Sequence, residues 1–135
     1  MAEQSDPKWL VLDGYEDEPA AFGVPPYVGF HIRYLCGVLE AAKVDYRYMT
    51  IDQWRIFVEQ KGEEGVRKLM SQVEGFACIA GAVVPGRYLR GTPISLKEMQ
   101  NIVRELPSEI PAILGGWAIR GWRQQGWNPL RKNLF

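Results

Sequence analysis

The stretch Phe76-Ala77-Cys78-Ile79-Ala80-Gly81-Ala82-Val83-Val84 contains no polar side chain. An apolar run of this length is typical of a strand buried on both faces, as strands are in parallel sheets covered by helices. Two shorter apolar runs, Trp9 to Leu12 and Ile110 to Leu114, lie near the two ends of the chain. The segment Asp45 to Ile51 is rich in tyrosine and β-branched residues, which favour strands. The sequence therefore predicts four strands.

Segments with helical periodicity separate these strands. From Tyr27 to Ala42 the apolar side chains recur on one helical face. A second helical stretch covers residues 53–73 and is interrupted at Gly62 to Gly65, and a third ends before Pro107. The second and third are each preceded by the spacing of a capping box, Thr50-x-x-Gln53 and Ser95-x-x-Glu98.

The order β-α-β-α-β-α-β predicts an α/β fold, a doubly wound parallel sheet of the flavodoxin-like or Rossmann-like kind, with right-handed crossovers. A flavodoxin-like sheet has five strands, and four are found here. Either a fifth strand lies in the tail, residues 117–135, or the chain stops before it.

Length and composition predict one domain over residues 1–135. The chain is 47% hydrophobic, which suffices for a packed core and excludes general disorder. Its formal net charge is zero, so it carries no overall electrostatic footprint for nucleic acid or for a membrane surface. No apolar run reaches the length of a membrane span. With two cysteines and one histidine, a zinc site within the chain is not expected, and buried free thiols favour a cytoplasmic location.

The tail is basic and aromatic. Trp117, Trp122 and Trp127 recur every five residues, and residues 120–135 carry four bases and no acid. Large aromatic side chains in a basic segment favour an interface with another domain. A tail that folds back onto its own sheet is equally consistent with the pattern.

The ends of the predicted strands indicate where a ligand would bind. In an open parallel sheet, ligands bind beyond the carboxyl ends of the strands. Asp13-Gly14-Tyr15 follows the first strand, the segment Gly81 to Pro93 follows the third, and Gly115-Gly116 follows the fourth. The loops after the first and third strands are long and rich in glycine and proline, and long ordered loops are often functional. Simple turn formation is the alternative for Asp13 and for the glycine pair.

Several kinds of site are excluded or weakly supported. Neither the P-loop nor the dinucleotide glycine pattern occurs, and no nucleophile, base and orienting group can be placed together for covalent catalysis. His31 is interpreted as a packing or hydrogen-bonding residue rather than a ligand. The run Glu16-Asp17-Glu18, together with Asp13, is compatible with Mg²⁺ binding of the receiver kind, although a solvated loop is the favoured interpretation.

Three segments together carry a resemblance to a known family. They are Val11-Leu12-Asp13-Gly14-Tyr15 with the proline-rich residues that follow, Val83-Val84-Pro85-Gly86-x-Tyr88-Leu89-x-Gly91-Thr92-Pro93, and Ile113-Leu114-Gly115-Gly116. This pattern resembles the N-terminal, cobalamin (B12)-binding-like domain of certain radical-SAM proteins. The resemblance extends over nearly the whole chain. It implies a flavodoxin-like domain that precedes a radical-SAM barrel.

The resemblance also implies a set of cofactor contacts. In cobalamin domains of this type the nucleotide tail of the cofactor runs between strand-end loops, and the glycine pair after the fourth strand lines that slot. By this likeness Gly115 and Gly116 would contact cobalamin, with Gly81 and Thr92 as further contacts from the third loop. Asp13, Gly14 and Tyr15 would occupy the loop after the first strand.

The sequence departs from the family pattern at two points. The cobalamin motif Asp-x-His-x-x-Gly would begin at Asp13, but Tyr15 stands where histidine belongs and Glu18 where glycine belongs. Cobalt ligation through that histidine is therefore excluded. The Cys-x-x-x-Cys-x-x-Cys pattern that holds an iron–sulfur cluster for S-adenosylmethionine chemistry is also missing.

We therefore expect a cobalamin-binding-like module that is not catalytic alone. Its iron–sulfur cluster and S-adenosylmethionine would belong to a missing C-terminal domain, and its partner would be a radical-SAM barrel domain or subunit. Two alternatives stay open: a structural or protein-interaction domain of the same fold that binds no corrin, and a small-molecule or Mg-dependent receiver-like domain that uses Asp13. An incomplete sheet leaves an exposed edge, so some self-association is also expected.

Overall fold

The computed structural model describes residues 9–15, 30–80 and 94–116. Within these ranges strands and helices alternate along the chain. The elements are β1 (Trp9–Gly14), α1 (Phe30–Ala41), β2 (Tyr46–Thr50), α2 (Ile51–Ser71), β3 (Gly75–Ala80), α3 (Leu96–Glu105) and β4 (Ala112–Gly115).

The four described strands form one parallel sheet in the order β2-β1-β3-β4. The register places Asp13 beside Thr50 on one side and beside Ile79 on the other, and Ile79 in turn lies beside Gly115. This order is that of a flavodoxin-like, doubly wound fold, so the predicted fold class is confirmed. The tail, in which a fifth strand was considered, lies outside the described residues.

The two faces of the sheet carry separate hydrophobic clusters because alternate side chains of a strand point to opposite faces. On one face, hereafter the α1 face, Val11, Ala77 and Ile79 pack with Ile32 and Leu39 of α1. The other face, hereafter the α2–α3 face, is larger. Its buried cluster includes Leu10, Leu12, Trp54, Met70, Phe76, Cys78, Met99, Ile102 and Val103.

Helix α2 begins and bends where the sequence predicts. The Thr50 hydroxyl accepts from the Gln53 backbone N–H, and the Gln53 side chain accepts from the Thr50 N–H, which completes the capping box. Gly62 has φ 67° and ψ −170° inside the helix. This is a conformation that only glycine adopts readily, and it explains the predicted interruption.

Helix α3 has the second predicted capping box, since the Ser95 hydroxyl accepts from the Glu98 N–H and Glu98 Oε1 accepts from the Ser95 N–H. The other predicted boundaries that fall on described residues differ from the structure by up to two residues. The fourth strand covers Ala112–Gly115 rather than Ile110 to Leu114, and the first helix is described over Phe30–Ala41, while its predicted start at Tyr27 lies outside the described residues. Such shifts are ordinary, because periodicity locates an element better than its ends.

The cysteines are only in part as predicted. Cys78 is a buried free thiol in β3, whereas Cys36 is a free thiol that is partly exposed on the flank of α1. Helical periodicity placed Cys36 on the apolar face, but its position at the edge of that face leaves it half covered. Among the described helices, none is both long and apolar enough to cross a membrane.

Candidate functional site at the carboxyl ends of the strands

The order β2-β1-β3-β4 creates a topological switch point between β1 and β3. The chain leaves β1 towards α1 on one face of the sheet, whereas it leaves β3 towards α3, which packs on the other face. The connections that follow β1 and β3 therefore diverge beyond the carboxyl ends of these strands, and a crevice at such a point is where doubly wound sheets bind ligands. The predicted site residues Asp13, Gly14 and Tyr15 lie at the end of β1, and Gly115 and Gly116 lie two strands away at the end of β4.

Asp13 is buried at the end of β1, with 5% of its surface exposed. One carboxylate oxygen accepts from the Tyr48 hydroxyl at 2.6 Å, and the other accepts from the Tyr15 backbone N–H at 3.0 Å. Tyr48 reaches Asp13 because it pairs in register with Val11, two residues earlier on the same face of β1. Burial, followed by the hydrogen bond to Asp13, raises the pKa of Tyr48, so the hydroxyl stays a donor. The Asp13–Tyr48 hydrogen bond joins the end of β1 to β2 on the α1 face.

Tyr15 adopts a backbone conformation that is uncommon for a residue with a side chain. Its φ is 64°, and the Asp13 carboxylate stabilises the turn by accepting from its N–H. The side chain packs on the α2–α3 face, where its hydroxyl donates to Asp52 at 2.6 Å. Burial and this hydrogen bond raise the pKa of Tyr15. Tyr15 stands where the cobalamin motif has histidine, and its hydroxyl is hydrogen-bonded to the Asp52 carboxylate.

An ion-pair network continues from Asp52 to α3. Arg55 donates to Asp52 at 3.1 Å, and its Nε and Nη2 donate to the two carboxylate oxygens of Glu98 at 2.8 and 2.9 Å. This two-point contact lowers the pKa of Glu98 and raises the pKa of Arg55. Because Glu98 also caps α3, the network connects the turn after β1 to the first turns of α2 and α3. These bonds hold the turn after β1, the start of α2 and the start of α3 in fixed positions relative to one another.

The glycines at the strand ends are required by packing. A Cβ on Gly116, where φ is 98°, would lie 2.1 Å from the carbonyl oxygen of Ala80. A Cβ on Gly14 would lie 2.4 Å from Ile94, whose N–H donates to the Gly14 carbonyl. At Gly115 the only close atom is the Cδ1 of Ile79 at 3.0 Å, which is the end of a flexible side chain. Close approach of the chain to itself therefore explains Gly14 and Gly116, and Gly115 is the one of the three with room to change.

The remaining predicted site residues are in other situations. Gly81, Thr92 and the acidic run at residues 16–18 lie outside the described residues. Among those that the structure does describe, no group of three metal-ligating side chains occurs. His31 is exposed on α1.

Four residues of the site were not predicted as such. Tyr48, Asp52, Arg55 and Glu98 depend on contacts between residues separated by 35 to 43 positions, as the Tyr48–Asp13 and Arg55–Glu98 bonds are. Only the capping-box spacing marked Glu98, and it marked a helix start rather than an ion pair. Had the strand order been known, the polar residues at both ends of β2 and at the start of α2 would have indicated these contacts.

A second concave feature lies away from the strand ends. A cavity of about 420 Å³ separates α2 from α3, with Trp54, Val58 and Ile102 among its apolar lining and Arg67 and Arg104 among its charged lining. The Arg55–Glu98 pair forms one wall of it. Its lining carries three arginines and three glutamates, so it presents no net charge that would select a ligand.

Comparison with known proteins identifies two archaeal relatives. An uncharacterized protein of Methanocaldococcus jannaschii is 43% identical over 94 residues, which are 70% of this chain and 16% of the relative. An uncharacterized protein of Archaeoglobus fulgidus is 42% identical over 92 residues, which are 68% of this chain and 16% of the relative. No family model matches the chain, and no solved structure matches it. The chain is thus homologous to one part of larger archaeal proteins, and the resemblance to cobalamin-binding-like domains stays a prediction.

Proposed function

We propose that this chain is a non-catalytic ligand-binding module of a larger protein, and that its ligand is a corrinoid such as cobalamin. The observation that carries the proposal is the switch point between β1 and β3, whose crevice is the place where doubly wound sheets bind their ligands. The two loops that leave this point are those whose residues resemble the cobalamin-binding-like domains of radical-SAM proteins.

The described residues fit such a ligand in part. The backbones of Gly14 and Gly115 lie at the strand ends without side chains and have β3 between them, while the Asp13–Tyr48 pair joins β1 to β2 on the other side of Gly14. The Tyr15 hydroxyl would not coordinate cobalt, because it donates to Asp52 and its raised pKa keeps it protonated. Bound cobalamin would supply its own cobalt chemistry. The role of this chain would be to bind the corrinoid and to orient it towards another domain.

The proposal is tested by titrating the purified protein with hydroxocobalamin and following the visible corrin spectrum. Gly115→Leu places bulk at the end of β4, at the one strand-end glycine where the structure has room for it. We expect saturable binding to the wild-type chain and at least about tenfold weaker binding to the variant, since the added side chain would occupy ligand space. Ala42→Leu adds a leucine at an exposed position beyond the end of α1, at the opposite edge of the sheet, and should bind as the wild type does.

Two results would count against a corrinoid site here. If hydroxocobalamin does not bind, the ligand class is wrong. If both leucine variants bind equally well, the ligand lies elsewhere on the molecule. Gly116 is unsuitable for this test, because its substitution would disturb the fold itself.

A protein-interaction module is the second candidate function. It is favoured by one observation: the described polar side chains of the crevice, Asp13, Tyr15, Asp52, Arg55 and Glu98, are bound to one another. Sites for small molecules usually keep a few polar groups directed at the ligand. Under this alternative, hydroxocobalamin would not bind and the network would serve to fix the loops as a rigid surface.

A further inference from the structure

Helix α1 has an apolar stripe on the side that faces away from the sheet. Ile32 and Leu39 are buried against the sheet. On the opposite side Tyr34 is 68% exposed and Val38 is 49% exposed, and the exposed Gly37 and Ala41 complete the stripe. Their spacing is that of one helical face, and none of the four carries a charge. A surface helix normally directs charged side chains outward, so this stripe is expected to be covered.

The charged side chains of α1 border the stripe on one flank. Arg33 and Glu40 are both exposed and lie two helical turns apart on the same side of the helix. The Glu40 side chain on this flank is held by a hydrogen bond, since one of its two carboxylate oxygens accepts from the Tyr46 hydroxyl of β2 at 2.6 Å. The stripe therefore has an uncharged centre and, along one border, opposite charges at equal distances from its midpoint.

We propose that the outer face of α1 binds the same face of a second copy of this chain, with the two helices antiparallel. In a two-fold contact, residue i of one chain meets residue j of the other, and j meets i. With the axis passing midway between Arg33 and Glu40, each arginine lies opposite the glutamate of the other copy, which gives two ion pairs. The midpoint falls between Cys36 and Gly37.

Gly37 allows the helices to approach closely at this midpoint. A Cβ added there would meet no atom of the described residues within 4 Å, so this part of the chain leaves space for another surface to approach the helix. A residue without a side chain at the crossing point brings two helix backbones together. The charge pattern identifies the occupant as a second copy, because a face with opposite charges at equal distances from its midpoint is complementary to itself and forms both ion pairs at once.

The experiment is sedimentation equilibrium of the full chain over a wide concentration range. The wild type should form a dimer of twice the 15.4 kDa chain mass. Arg33→Glu places two glutamates opposite each other in both of these ion-pair contacts, and Glu40→Arg places two arginines opposite each other in both. Each variant alone should raise the dimer Kd at least about tenfold, since like charges across an interface are repulsive. An equimolar mixture of the two variants should recover the wild-type Kd, because in the heterodimer each glutamate of one chain again lies opposite an arginine of the other.

Matched controls keep the outcome unambiguous. Val38→Glu inserts a charge into the centre of the stripe and should give a monomer, whereas Ile56→Glu changes a residue of α2 that is exposed to a similar extent and should leave the dimer intact. A wild-type chain that is monomeric at every concentration would overturn the proposal. A dimer Kd that is unchanged in both charge-reversal variants would also overturn it. So would a mixture of the two variants whose Kd is no lower than that of either variant alone.

Discussion

Replacement of Gly116 by alanine tests the path of the chain at the end of β4. The new methyl carbon would lie 2.1 Å from the Ala80 carbonyl oxygen and 2.8 Å from the Ala80 nitrogen, and both are backbone atoms that cannot rotate away. The residue would also have to keep φ at 98°, which costs a residue with a side chain about 1–3 kcal/mol. Together with displacement of β4 from β3, we expect a loss of about 3–5 kcal/mol in the free energy of unfolding. This is a large share of the ~5–15 kcal/mol typical of a domain.

Two other glycines serve as graded controls. Gly62 has φ 67° but open space around a Cβ, so Gly62→Ala should lose only the conformational cost of about 1–3 kcal/mol. Gly37 has open space and lies in ordinary helix, so Gly37→Ala should gain about 0.5–1 kcal/mol. Urea unfolding followed by circular dichroism, at one protein concentration that is low enough to keep the chain monomeric, ranks the three variants. A Gly116→Ala variant within about 0.5 kcal/mol of the wild type would refute the packing of Gly116 onto the β3 backbone.

Two further predictions concern the polar groups of the crevice. Tyr48→Phe leaves one oxygen of the buried Asp13 without its donor and should destabilise the fold by about 1–3 kcal/mol in urea unfolding. Tyr46→Phe, which removes a hydrogen bond at the surface, should change it by less than about 0.5 kcal/mol; equal losses would mean that Asp13 is not buried as described. The pKa of Glu98 is lowered by its arginine partner, so its stabilising effect is present at neutral pH and is lost as the pH falls through that lowered pKa. The difference in unfolding free energy between wild type and Glu98→Gln should accordingly be largest at neutral pH and shrink below about pH 4, whereas a difference that does not vary with pH would contradict the ion pair.

The fold could be predicted from the sequence because its determinants are local. The apolar run that begins at Phe76 required a strand buried on both faces, and two capping boxes fixed the starts of α2 and α3. The interruption at Gly62 was also visible, since glycine pairs in a helical pattern mark a break. The strand order itself was not predicted beyond the flavodoxin-like fold class, and it comes from the structure.

The site could be predicted only in outline. The ends of β1 and β4 were located correctly, because they follow directly from where apolar runs stop. Gly14 and Gly116 were predicted as ligand contacts, and this stays a prediction. The structure shows in addition that each lies where the chain approaches itself closely, which no pattern in one sequence reveals. The Arg55–Glu98 pair joins two helices 43 residues apart, and such contacts depend on helix packing rather than on spacing.

The most direct test of the proposed ligand site is a map of backbone amide signals by ¹⁵N–¹H correlation spectroscopy during titration with hydroxocobalamin. A corrinoid in the crevice should give saturable shifts at Gly14, Tyr15 and Gly115, with α2 beyond Gly62 unchanged. The absence of saturable shifts, or shifts confined to residues that line the cavity between α2 and α3, would contradict a ligand site at the switch point between β1 and β3.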